Sequence, residues 1–206
     1  PYFMTQLTGP HLALPRMLLT QHPVTTKAEA DAFLTRLQDL SRALDETSTT
    51  LAHDAGAGVT PPRFAIEGIL KNIDGFTAPA PETHPLVTTF AAKIGAVSDI
   101  AAEERTAMTA RAAEIVKVAV YPGYARLAAQ IEALRANTND DAGVWRLGDD
   151  GEAWYQLALT AYGAGTRTGD DVHEIGLAEV ARISAEMDGL LKKIGLANGT
   201  VGERMV

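Results

Sequence analysis

The chain contains no cysteine. That single absence removes disulfides, thiolate zinc sites and cysteine nucleophiles together, while leaving cytoplasm and periplasm equally open. No apolar run approaches the roughly 20 residues that a bilayer-spanning helix requires, and no basic-plus-apolar leader opens the sequence, so no membrane-spanning segment is expected. Clustered basic residues are missing as well. With 18 Lys and Arg against 26 Asp and Glu, the net charge is −8, which opposes tracking of a phosphate backbone and excludes nucleic acid as an expected partner. Strict period-two alternation of useful length does not occur, and there is no internal repeat. Serine-nucleophile motifs are absent. The glycine-rich "GAGTRTG" follows a predicted helix instead of a strand and so lacks the context of a phosphate-binding loop.

What the chain does have is apolar content, 46% over 206 residues, enough for a packed core. The pattern predicts an all-α, multi-helix array forming a single helical domain over 1–206, with long, kinked helices. Prolines at 1, 10, 15 and 23 predict an extended, proline-rich N-terminal arm over residues 1–24. Thr26-Lys27-Ala28-Glu29 is a capping box and starts a helix whose stripe is Phe33, Leu34, Leu37, Leu40 and Leu44. Thr60-Pro61 starts a second helix, with Phe64, Ile66, Ile69, Leu70 and Ile73 on its buried side. A loop from Asp74 to Pro85 follows, and periodicity resumes at Leu86, Phe90 and Ile94. The long Ala-rich stretch from Asp99 to Leu134 must kink or divide at Pro122-Gly123. "VWRL" reads as a short extended piece. A helix then begins near Asp150, and a loop ends in a cap at Thr168. The last long helix runs to about Ile194, with Gly195 as its left-handed terminator.

Thr200-Val201-Gly202-Glu203 is one more capping box, with only three residues after it. A lone first turn nucleates poorly, so residues 1–206 are expected to have been cut from a longer polypeptide, and the opening at Pro1 in place of Met implies an upstream segment as well.

"DDVHEIGLAEV" spells the first half of a zinc-protease helix. Such a helix needs histidines at i and i+4 on one face, and the second place holds Leu177. His173 is therefore expected to be a partly buried packing histidine at the edge of an apolar stripe that includes Leu177, Val180, Met187 and Leu191. The other histidines, at 11, 22, 53 and 84, stand singly, so no metal ligands and no catalytic residues are assigned. Trp154, Tyr155, Thr166, Arg167 and His173 form the candidate cleft lining. Ring N–H and O–H groups beside a hydroxyl-rich loop with one guanidinium can hold a peptide carbonyl or carboxylate.

The stretches "PYFMTQLTGPHLALPRMLLTQHPV", "YPGYARLAAQIEAL", "GDDGEAWYQLALTAYGAGTRTGDDVHEIGLAEVARISAEM" and "GTVGERM" resemble the N-terminal half of the bacterial domain-of-unknown-function 885 family. That family is similar to helical zinc-dependent peptidases of the gluzincin type. Trp154-Tyr155 departs from the family's usual Tyr-Tyr pair, and residues 163–166 depart from its threonine-rich run. The resemblance implies that the complete H-E-x-x-H element and the glutamate ligand lie downstream, in a C-terminal half absent from this sequence. Zinc is then the cofactor of the full-length parent and not of this segment, and a peptide is the parent's substrate. The missing C-terminal half is the segment's own partner. Periplasmic or exported placement is implied in the same way. The alternative reading is a self-contained, non-enzymatic helical binding or scaffold module.

Overall fold

The computed structural model describes residues 2–205; Pro1 and Val206, which begin and end the readings above, lie outside the described residues. The fold is all-α, with no strand among the described residues. The chain divides into two compact units, Pro1–Ala142 and Gly143–Val206.

The first unit holds six helices: α1 Pro10–Thr20, α2 Lys27–Gly56, α3 Arg63–Thr77, α4 Pro85–Gly95, α5 Ala102–Ile115 and α6 Tyr121–Leu134. The stripe predicted for α2 is its buried face: Phe33, Leu34, Leu37, Leu40 and Leu44 meet Ile66 and Ile69 of α3, Phe90 and Ile94 of α4, and Leu127 and Ile131 of α6 in one core. Phe33 and Phe90 stack at 4.7 Å between centroids. Thr26 caps α2 as expected, accepting from the Glu29 N–H, while the Glu29 carboxylate turns back to the Thr25 N–H and hydroxyl.

The N-terminal arm is the main departure from expectation. Residues 10–20 form an eleven-residue helix instead of extended chain. Pro10 occupies the first turn, where a missing N–H deprives nothing. Pro15 lies inside the helix and takes away the N–H that the His11 carbonyl would have accepted. The Tyr124 hydroxyl supplies a replacement, donating to the His11 carbonyl at 2.7 Å from within the core. The Lys93 ammonium closes the other end of α1 by donating to the carbonyls of Leu18 and His22.

The expected break at Pro122-Gly123 is a kink. A single π-helical turn, Val116–Val120, joins α5 to α6 directly ahead of Pro122, which sits in the first turn of α6. Gly123 lets α2 come close: a Cβ there would lie 3.0 Å from the Ser41 Cα. Next to that contact Arg126 forms a two-pronged pair with Asp45, at 2.9 and 2.8 Å, and donates to the Ser41 hydroxyl. Tyr121 and Tyr124, on the same bend, spend their hydroxyls on the Pro79 and His11 carbonyls, so the bend is packed.

The second unit contains α7 Gly148–Leu159, α8 Gly169–Lys193 and the short α9 Val201–Arg204. "VWRL" is a 3-10 turn here, not extended chain. The turn packs on α7 at Gly151, where the Val144 carbonyl sits so close that a Cβ would fall 1.9 Å from it. Gly195 takes the left-handed conformation expected of it. Arg204 clasps α9 to the end of α8 through Asp188, at 2.5 Å, and the Leu196 carbonyl.

Candidate functional site

All five predicted cleft residues fall in the second unit, on α7, α8 and the connection between them. α7 runs on into a π-helical turn, Thr160–Ala164, which ends where Gly163 and Gly165 take positive φ. These two residues reverse the chain within a few positions, a path that side chains with a Cβ rarely follow. The Thr160 hydroxyl donates to the Gly165 carbonyl, and the Arg167 N–H and guanidinium both donate to the Ala164 carbonyl. The loop over 163–168 is thereby built on its own hydrogen bonds. It ends in a reciprocal capping box, in which Thr168 and Asp171 each accept from the other's backbone N–H. The Thr168 N–H and hydroxyl, and then the Arg167 charge, hold the Asp171 carboxyl below the ordinary range.

Two contacts join α7 to this loop. The Gln156 amide donates to the Arg167 carbonyl at 3.0 Å. The Tyr155 ring lies against Gly169, the first residue of α8, where a Cβ would come within 2.9 Å of Cε1. Tyr155 and Arg167 are therefore brought to the same end of the unit, with Thr166 exposed between the loop glycine and Arg167. Trp154 is the neighbour of Tyr155 on α7 and is also exposed.

His173 stands one turn beyond Gly169 and is solvent-exposed. That corrects its reading as a partly buried packing histidine. The apolar stripe to which it belongs is itself in solvent, since every residue from 170 to 186 is exposed.

Sequence reading missed Trp145 and Gln156. Trp145 lines a shallow cleft of about 290 Å³ with Val144, Gly151, Glu152 and Tyr155. Its signal was the glycine pair at 143 and 148 bracketing "VWRL", both at positive φ. Gln156 gave no sequence signal, because its role depends on where the loop carbonyl falls.

Of the histidines of the first unit, His84 and His22 hold neighbouring backbone and side chains in place, and His53 lies on the surface near Asp54. His84 caps α4: its Nδ1 accepts from the Leu86 N–H, and its Nε2–H donates to the Phe76 carbonyl. His22 pairs with the Arg36 guanidinium and packs edge-on against Phe33. His11 is buried with neither ring nitrogen hydrogen-bonded among the described residues, and burial lowers its pKa to about 4. Among the described residues no group of three or more His, Asp or Glu side chains is placed to hold a metal ion.

A family model described as a bacterial protein of unknown function, DUF885, matches residues 2–206. Among solved structures, the chain is similar to the crystal structure of "the putative lipoprotein from Colwellia psychrerythraea", with 31% sequence identity and a TM-score of 0.94. The likeness covers all of this chain and 35% of that one. No curated protein matches.

Proposed function

Since the chain belongs to the DUF885 family of bacterial proteins of unknown function, we propose that it is the N-terminal helical scaffold and cleft wall of a zinc-dependent peptidase. The single observation that carries this reading is the extent of the match: the chain spans about a third of the length of the similar solved chain. In this reading the chemistry belongs to the remaining polypeptide. The described residues do not fit a zinc site of their own, so no reaction step is assigned to them.

What the segment contributes is shape and recognition. Tyr155 and Arg167 are anchored by glycine contact and by backbone hydrogen bonds to one end of the second unit. A guanidinium and an amphipathic ring anchored at one end of a unit suit a peptide's carboxylate or carbonyl. Export of the parent is part of the proposal, supported by the likeness to a "putative lipoprotein". No helix among the described residues is long and apolar enough to cross a membrane.

The test is hydrolysis of a peptide library by the complete polypeptide, with Tyr155→Ala and Arg167→Ala compared to wild type. KM should rise about 10-fold, with kcat little changed, as loss of uniform substrate binding requires. A complete polypeptide that cleaves no peptide would refute the assignment.

A further inference from the structure

Helix α8 carries an apolar seam that its own unit leaves largely uncovered. Val180, Ile183, Met187, Leu190 and Ile194 follow one another at steps of three, four, three and four. This is the spacing of a helix-to-helix packing face, which closes at a shallow crossing angle against another long amphipathic helix. Yet Val180 is 64% exposed, Ile183 44%, Leu190 62% and Ile194 72%, with Met187 half-buried. In the whole second unit only Gly151 is buried among the described residues. A 25-residue helix gains most of its stability from burying such a face, so the unit as it stands lacks the interaction that should hold it.

Gly176 supplies an independent sign. It lies mid-helix, four residues before Val180 on the same seam, and a Cβ there would meet nothing within 4 Å. An exposed helical glycine costs about 1 kcal/mol relative to alanine. On a packing seam the missing Cβ has a use, because it lets a partner backbone approach closely.

We infer that the α8 seam is the docking surface for a long amphipathic helix from the downstream remainder of the same polypeptide, seated closest to α8 at Gly176. The inference rests on the proposed division of the polypeptide but not on its chemistry. The similar solved chain has 65% of its length outside the match, ample to supply such a helix. Two other occupants fit less well. A lipid surface favours basic flanks, whereas here Asp170, Asp171, Glu174, Glu179 and Glu186 outnumber Arg182, Lys192 and Lys193, with Arg182 paired to Glu179 and Glu186 and Lys192 to Asp188. A second copy packed antiparallel would set the edge bearing Glu179 and Glu186 against the same edge of its partner.

The chain has no cysteine, so single-cysteine variants report cleanly. Ile183→Cys, on the seam, and Ala178→Cys, on the opposite side of the helix, are each made in the complete polypeptide and labelled with a maleimide under native conditions. The seam thiol should react about 100-fold more slowly than the other, as expected of a site that must open locally to react. Amide exchange of the unsubstituted polypeptide provides the same reading if a variant fails to fold, with α8 among the well-protected helices. Equal labelling of the two thiols, or fast exchange along α8, would overturn the inference. So would protection that appears only in a dimer and is lost on dilution, which would identify a second copy as the occupant. Absence of peptide hydrolysis would sink the peptidase reading and leave this contrast standing.

Discussion

Tyr124 shows how one hydroxyl decides a local conformation. Pro15 strips the His11 carbonyl of its helical donor, and the phenol restores one from α6. Tyr124→Phe should therefore cost about 1–3 kcal/mol, the price of a buried unsatisfied acceptor. Adding Pro15→Ala returns a backbone N–H at the right place, so thermal melts of the double variant should recover part of that loss. His11 itself gives the protein an acid-sensitive point. Its folded pKa, about 4, lies below the ordinary 6.5, so the unfolded chain takes up the proton first as pH falls. The contribution of His11 is then complete above about pH 6.5, is lost progressively below it and levels off under about pH 4. Denaturant titrations across that window should show the decline, and His11→Leu should reduce it, leaving the part due to His84, whose pKa burial also lowers. Gly123→Ala presses a methyl on the Ser41 backbone and should cost about 1–3 kcal/mol by the same assay.

At the level of elements, α2 and α8 were legible because caps and three- and four-residue apolar steps agree in each, whereas α3 was legible from its apolar steps alone: it starts at Arg63 with no side-chain cap, two residues after the expected Pro61. Thr26, Thr168 and Gly195 all do what their residue types promise. The reading failed where a distant partner overrides a local rule. No inspection of residues 10–20 reveals that a tyrosine 113 positions away will satisfy the carbonyl that Pro15 orphans. "VWRL" failed for a related reason, since its turn is set by how closely Gly151 lets the Val144 carbonyl approach. The candidate site was half legible. Composition pointed to Tyr155 and Arg167, but Gln156 and Trp145 acquire their roles only once the chain has reversed at Gly163 and Gly165. His173 was misjudged because an apolar stripe was equated with a buried one. Gly176→Ala separates these cases with opposite signs: in the 206-residue chain it should stabilise α8 by about 1 kcal/mol, seen as slower amide exchange. In the complete polypeptide, where the seam is filled, the same change should destabilise.

On the scale of the molecule, the two units differ in kind. Residues of the first build a continuous core from α1 to α6, whereas the second displays its apolar side chains to solvent. The acidic balance, −8 overall, keeps such a surface soluble without covering it. The proposed scaffold, with one unit to be finished by further chain, would account for the exposed side chains and for a match to about a third of a longer relative. Zinc content measured on the complete polypeptide and on the 206-residue chain, both dialysed against the same trace of zinc, tests this division most directly. About one equivalent per complete polypeptide and none on the shorter chain is the expected result. Stoichiometric zinc on the 206-residue chain, or none on either, would contradict it.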